Sequence, residues 1–286
     1  MNMTRFKNRP GQILLILLLV MTVGLGVGLS IISRSLIDIS TSTKAEQSSR
    51  AFSTAEAGIE KALRGDLTGV SFAENQSQAS VYQSDPLPYS GQALEYPPVG
   101  KEEIAHFWLA NPVNTPPTSY YTQSIIDVYW GIPNLAGVDQ AALEVTVYYQ
   151  SGGSFLSKKF FYDPNTTRIT TNGFTAPDSC SNSLTPISTS SGVNRTFYCK
   201  TTLNLSGLTT LELIRARLLY TSVSQPIALQ PLNGCGQACS LPPQARLFTS
   251  TGSSGDTQRT IQVFKLDQVV PFYFDYAIFS QGDITK

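Results

Sequence analysis

Apolar and polar positions divide this chain into three stretches. From Ile13 to Ile32 there is no charged residue, and fourteen of the positions are Ile, Leu or Val. A helix of about 20 residues rising 1.5 Å each covers the roughly 30 Å hydrocarbon core of a bilayer, so 13–32 is expected to span a membrane. Beyond Ile32 the polarity rises but a helical rhythm persists. Leu36, Ile39, Ala45, Phe52, Ile59 and Leu63 fit one stripe, there is no proline, and Gly58 is the one glycine before Leu63. Glu60 and Arg64 form an acid-before-base pair four apart, and Gly65 is a plausible stop. The pattern predicts one helix over 12–64, thin in apolar residues between Ser40 and Ser49 and therefore reliant on neighbours there.

The third stretch reads as strands after a proline-rich passage. Over 65–123, Pro86, Pro88, Pro97, Pro98, Pro112, Pro116 and Pro117 mark turns, with one helix-like piece from Lys101 to Leu109. It is expected to connect the rod to a β-rich head over 124–286. Strands are predicted at Ser124–Trp130, Leu143–Gln150, Phe155–Tyr162, Arg195–Leu205, Leu211–Ser222, Arg246–Ser250, Arg259–Leu266 and Phe272–Phe279, all rich in β-branched or aromatic residues. The expected fold class is α+β: a long N-terminal helix, its first half in the membrane, packed on a predominantly antiparallel head of one sheet or two small ones.

Charge adds an orientation. Arg5, Lys7 and Arg9 precede the apolar run and the first acid, Asp38, follows it, which places the N-terminus in the cytoplasm and the head outside. Over the whole chain 20 Lys and Arg balance 20 Asp and Glu, so bulk charge offers nothing to nucleic acid. The charged fraction is only 14%, with Ser, Thr, Asn and Gln in its place, a composition that suits an extracytoplasmic protein. A secretory signal has a shorter apolar run and a small-residue cleavage site, whereas here Ser33-Arg34-Ser35-Leu36-Ile37-Asp38 keeps the helical rhythm. The simplest alternative is an uncleaved single-pass anchor.

The basic leader 1–11 ending in Gly11, the immediate apolar helix, and the run Arg50-Ala51-Phe52-Ser53-Thr54-Ala55-Glu56-Ala57-Gly58-Ile59-Glu60-Lys61-Ala62-Leu63 together resemble a type IV pilin-like protein. Within that superfamily the chain is most similar to PilX-type minor pilins and K-type minor pseudopilins of type II secretion. The resemblance implies that a prepilin peptidase cuts between Gly11 and Gln12 and methylates the new amino terminus. A flexible glycine at the membrane face eases the backbone into such a site. Major pilins of the superfamily carry a glutamate at the fifth mature position, and here that position is Ile16. A carboxylate within a bilayer calls for a neutralising neighbour, and Ile16 calls for none. The resemblance thus implies a minor subunit, priming or tip-located, with other pilin or pseudopilin subunits and the inner membrane as partners. Gly24 and Gly28, with Gly26 between them, form a small-xxx-small pair. It reads equally as a helix-packing face, as a soft spot that unwinds during assembly, and as the ordinary glycine content of membrane helices.

The remaining candidates for chemistry are few. Cys180, Cys199, Cys235 and Cys239 all lie in the exported part, where disulfides are the default. Three pairings are possible, and proximity favours Cys180 with Cys199 and Cys235 with Cys239. A zinc site needs four good ligands, and the one histidine, His106, is distant in sequence. No metal or cofactor is expected. His106 stands among Ile104, Phe107 and Trp108 and reads as a structural residue; no serine-elbow, P-loop or zinc-protease motif is present. Tyr120, Tyr121, Tyr148 and Tyr149 suit strand core better than a sugar platform. The expectation is a structural minor subunit of a type IV pilus or pseudopilus, priming or adhesive, and not an enzyme. The alternative is a membrane-anchored surface enzyme or carbohydrate-binding or other ligand-binding module.

Overall fold

The computed structural model describes residues 10–269 apart from 90, 102, 136–138, 191 and 232–238, with side chains from residue 14 onward. Its first element is α1 (Pro10–Leu63), 54 residues and about 80 Å long at 1.5 Å per residue. It ends at Gly65, whose φ of 96° closes a Schellman motif: Gly65 N donates to the Ala62 carbonyl (2.9 Å) and Asp66 N to that of Lys61 (3.2 Å). Ion pairs Arg50–Glu46 and Arg64–Glu60 stitch exposed turns of the same helix.

The chain then runs through β1 (Val70–Phe72), β2 (Ser77–Gln83), β3 (Leu94–Val99), β4 (Ile104–Trp108), β5 (Ala110–Asn111), β6 (Thr118–Ser119), β7 (Ile125–Trp130), β8 (Ala142–Ser151) and β9 (Ser154–Tyr162). After α2 (Thr166–Asn172) come β10 (Ser179–Cys180), β11 (Ile187–Ser188), β12 (Asn194–Arg195), β13 (Cys199–Asn204), β14 (Leu211–Leu219), β15 (Gln225–Gln230), β16 (Ala245–Ser254) and β17 (Thr257–Leu266). The long helix and the mainly antiparallel head are as expected. The described strands form three larger sheets and two short ribbons, where one or two small sheets were expected. The strand expected at Phe272–Phe279 lies outside the described residues.

Two compact units result: Met1–Tyr82 with Thr249–Gln262, and Gln83–Phe248 with Val263–Lys286. In the first, the sheet β1-β2-β16-β17 receives the last turns of α1. The buried helix face is Ala51, Thr54, Ala55, Gly58, Ile59 and Ala62, spaced as one stripe. This corrects the expected stripe: of its members only Ile59 is buried here, while Phe52 and Leu63 are exposed. The reason is closeness. A Cβ on Gly252 would collide with the Ala51 carbonyl and lie 2.7 Å from Ala55 N, and one on Gly58 would press on Ser250 Oγ and lie 3.1 Å from Val81 Cγ2. Only small side chains fit where sheet backbone and helix backbone approach so nearly. One polar thread is built in: Thr54 Oγ1 sits 2.7 Å from the Arg50 carbonyl and 2.9 Å from Ser77 Oγ, which donates to Asn75 Oδ1.

The second unit is a sandwich of β10-β13-β7-β15-β3 and β4-β14-β8-β9 around one core. Ile126, Val128 and Trp130 of β7 meet Val145 and Val147 of β8 and Ile214 and Ala216 of β14 there. Trp130 and Tyr162 stack across the core at 6.5 Å, and Trp130 Nε1 donates to the Ala141 carbonyl. Residues 65–123, expected as loops, supply β1 to β6. Pro97 and Pro98 lie in β3, which tolerates them because it is the outer strand of its sheet and its pairing with β15 shifts register opposite them. The piece 101–109 contains a strand and no helix: β4 buries alternate side chains on both faces and pairs with β14. Three buried acids are in ion pairs, Glu95 with Arg195 (2.7 Å), Glu144 with Lys159 (2.8 Å) and Arg217, and Asp163 with Arg168 (2.8 Å), while a fourth, Glu212, accepts from Gln150 Nε2 (2.8 Å) and has its pKa raised by burial. Burial opposes the Asp163 carboxylate, but Arg168, Asn172 and the Asn165 N–H outweigh it and hold its pKa below the usual range.

The seat of the helix gives a direct test. Gly252→Val should destabilise the first unit by about 1–3 kcal/mol through overpacking against Ala51 and Ala55. Hydrogen exchange at residues 51–62 and in β16 should speed up accordingly, while Ser253→Val, one residue along, should not reproduce the effect.

Candidate functional site

The strongest functional candidate is the part of α1 that the sheet does not cover. From Leu14 to Glu46 every described residue but Gly28, which is half-buried, is exposed, and burial begins in earnest only at Ala51. Large apolar side chains point outward all round the helix: Leu19, Val23 and Val27 are more than half exposed, as are Leu36, Ile37 and Ile39 beyond the predicted span. By length and composition this one helix could cross a membrane. The polar turns Ser40 to Ser49, weak helix formers, also lack neighbours over most of their length, so their helical state depends on the packed turns below and on whatever surrounds them.

Each residue singled out from the sequence has a definite place on this rod. Gly11 and Gln12 lie in its first turns, with side chains outside the described residues. Ile16 is exposed, a bare aliphatic side chain. A Cβ on Gly24, Gly26 or Gly28 would meet nothing within 4 Å, so these positions offer a smooth surface open to another helix. Asp38 and Arg34 are exposed one turn apart, just beyond the apolar run.

The head brings together some of the remaining candidates. Cys180 and Cys199 face each other in β10 and β13 and form a disulfide, Cα–Cα 4.1 Å. Cys239 is disulfide-bonded; Cys235, its expected partner, lies outside the described residues. Tyr121 is fully buried with its hydroxyl on the Ile125 carbonyl, Tyr149 packs against the core, and Tyr120 and Tyr148 are half-buried. Among the described residues no three His, Cys, Asp or Glu converge as a metal site. A cleft of about 440 Å³ beside Ser71, Gln78, Ser80, Thr251, Ser253 and Gln258 has no ionisable lining. The paired acids Glu95, Glu144 and Asp163 were not singled out from sequence, because their partners are distant along the chain or, for Arg168, defined only by the turn of α2.

His106 is buried in β4 opposite Arg215 of β14, and its Nδ1 has no hydrogen-bond partner. Burial, and then the Arg215 charge, push its pKa down from 6.5 to about 4, so it is a neutral, enclosed imidazole at physiological pH. Between those two values the unfolded chain binds a proton that the folded one does not, so stability falls as pH drops from 6.5 to 4 and the loss levels off below. At 1.36 kcal/mol per unit the loss from this group is about 3 kcal/mol. Urea unfolding of wild type against His106→Gln at pH 7 and pH 4 should show the wild type losing about that much more. No protein-family model, curated protein or solved structure matches this chain.

Proposed function

We propose that this protein is a minor structural subunit of a type IV pilus or pseudopilus, built into the filament through α1. One observation carries the reading: α1 extends about 55 Å beyond its seat on the sheet, from Leu14 to Arg50, exposed along nearly all of that length. A single bilayer span accounts for about 20 of those residues. The exposed turns from Ser33 to Ser49, with Leu36, Ile37 and Ile39 outward, call for packing against other helices, and a filament core supplies it.

In this reading the basic leader holds the N-terminus in the cytoplasm, the apolar run sits in the bacterial inner membrane, and the head faces outward. A prepilin peptidase removes the leader after Gly11 and methylates Gln12. Ile16 needs no partner amine from a neighbouring subunit, which suits a subunit that starts or caps the filament. A sandwich of this size at such a position suits adhesion at the cell surface.

The test is the mature amino terminus. In cells holding a prepilin peptidase, mass spectrometry should find N-methyl-Gln12, and Gly11→Leu should leave the leader attached. An intact Met1 in the wild type, or cleavage beyond Ile32, would point to a tethered enzyme or binding module instead. Immunogold labelling should mark filament ends; labelling along shafts in amounts rivalling a major subunit would sink the tip assignment.

A further inference from the structure

We infer that β9 is a docking edge for an extended, acid-bearing strand of another protein. It closes one side of the sheet β4-β14-β8-β9, so one of its flanks has no strand beside it among the described residues. It is reached through the tight Gly152–Gly153 turn, both glycines at positive φ, and Ser154 to Lys159 are all exposed. Phe155, at 74% exposure, is the most exposed large apolar residue among the described residues of the head, with Leu156 beside it.

The backbone shows which groups are on offer. Thr175 already pairs at the far end of this flank, donating to the Phe161 carbonyl and accepting from Asp163 N, each at 3.0 Å. Backbone groups alternate sides along a strand. The N–H and C=O of Phe155, Ser157 and Lys159 therefore point to the same flank as those of Phe161, and a partner strand would continue the pairing that Thr175 begins. Open edges recruit strands unless they are blocked, and the two lysines here repel an identical or cationic strand while leaving an acid-bearing one admissible.

Side chains define the partner. Lys159 lies on the same face as Phe155 and is tied to Glu144, whereas Lys158 lies on the face of Leu156, its ammonium 5.0 Å from the Phe160 ring and with no acid beside it. A strand with apolar residues against Phe155 and Leu156 and a carboxylate near Lys158 complements both. A second copy fits less well. Antiparallel self-pairing about Ser157 sets the two Lys158 side chains on a diagonal roughly 7–8 Å apart and brings four lysines to one short ribbon.

The inference rests on the head alone and stands or falls independently of filament assembly. The experiment titrates a short blocked peptide of alternating valine and threonine carrying two glutamates, and its lysine counterpart, into the full chain in detergent micelles. The glutamate peptide should bind about tenfold tighter than the lysine peptide, and hydrogen exchange should slow at the amides of Phe155, Ser157 and Lys159. Ser157→Pro, which removes an outward N–H, should weaken binding about tenfold with the thermal transition unchanged. Lys158→Glu should reverse the peptide preference, and this arm holds even if the proline variant misfolds. Absence of binding, equal binding of the two peptides, protection elsewhere than at β9, or a homodimer cross-linked through Ser157→Cys would each overturn the inference.

Discussion

Everything in the first unit depends on how near the end of α1 comes to the sheet. Ala51, Ala55 and Gly58 on the helix and Gly252 on β16 leave no room for a larger side chain, and this contact turns a rod into part of a folded body. Dispersion between closely set backbones, with little apolar bulk, supplies the attraction. The arrangement also sorts the side chains of the last turns. Apart from Ile59 the side chains that go inward are small, and Phe52 and Leu63 are left outside with the exposed aliphatic residues further up the helix.

The sandwich obeys a different rule. Its core is filled by large side chains, among them Trp130, Tyr121 and Phe107, and most of its buried acids are handled by pairing. Glu144 and Asp163 keep their charge by facing guanidinium or ammonium groups, and Glu95 faces Arg195. His106 keeps its enclosure by staying neutral. These are the two ways in which a buried ionisable group is tolerated, and both occur within one unit.

Legibility in the sequence followed the size of the signal. The apolar run, the Gly65 stop and the Glu60–Arg64 pair could be read directly, since each is local. Strands β7, β8, β9 and β14 were also legible from β-branched and aromatic density. What stayed hidden was non-local or disguised. Pro97 and Pro98 made β3 look like a loop, and burial on both faces made β4 resemble a piece of helix. The seat was misread because hydrophobic size points to Phe52 and Leu63, whereas the fold selects on smallness, which only the position of Gly252, some 200 residues away in sequence, makes meaningful. Of the candidate site, the exposed helix and the Cys180–Cys199 pair were foreseeable from local spacing. The open flank of β9 was not, because an edge is defined by the order of strands in a sheet.

The connectivity between β2 and β16 has a mechanical side. The chain leaves the first unit near Tyr82, returns near Thr249 and leaves again after Gln262, through three strands, β2, β16 and β17, that lie side by side in the sheet seated on α1. Whatever grips the sandwich therefore pulls on three backbone passages at once, and tension is divided among them before it reaches the helix. A single break in the chain between those passages would still leave both fragments tethered.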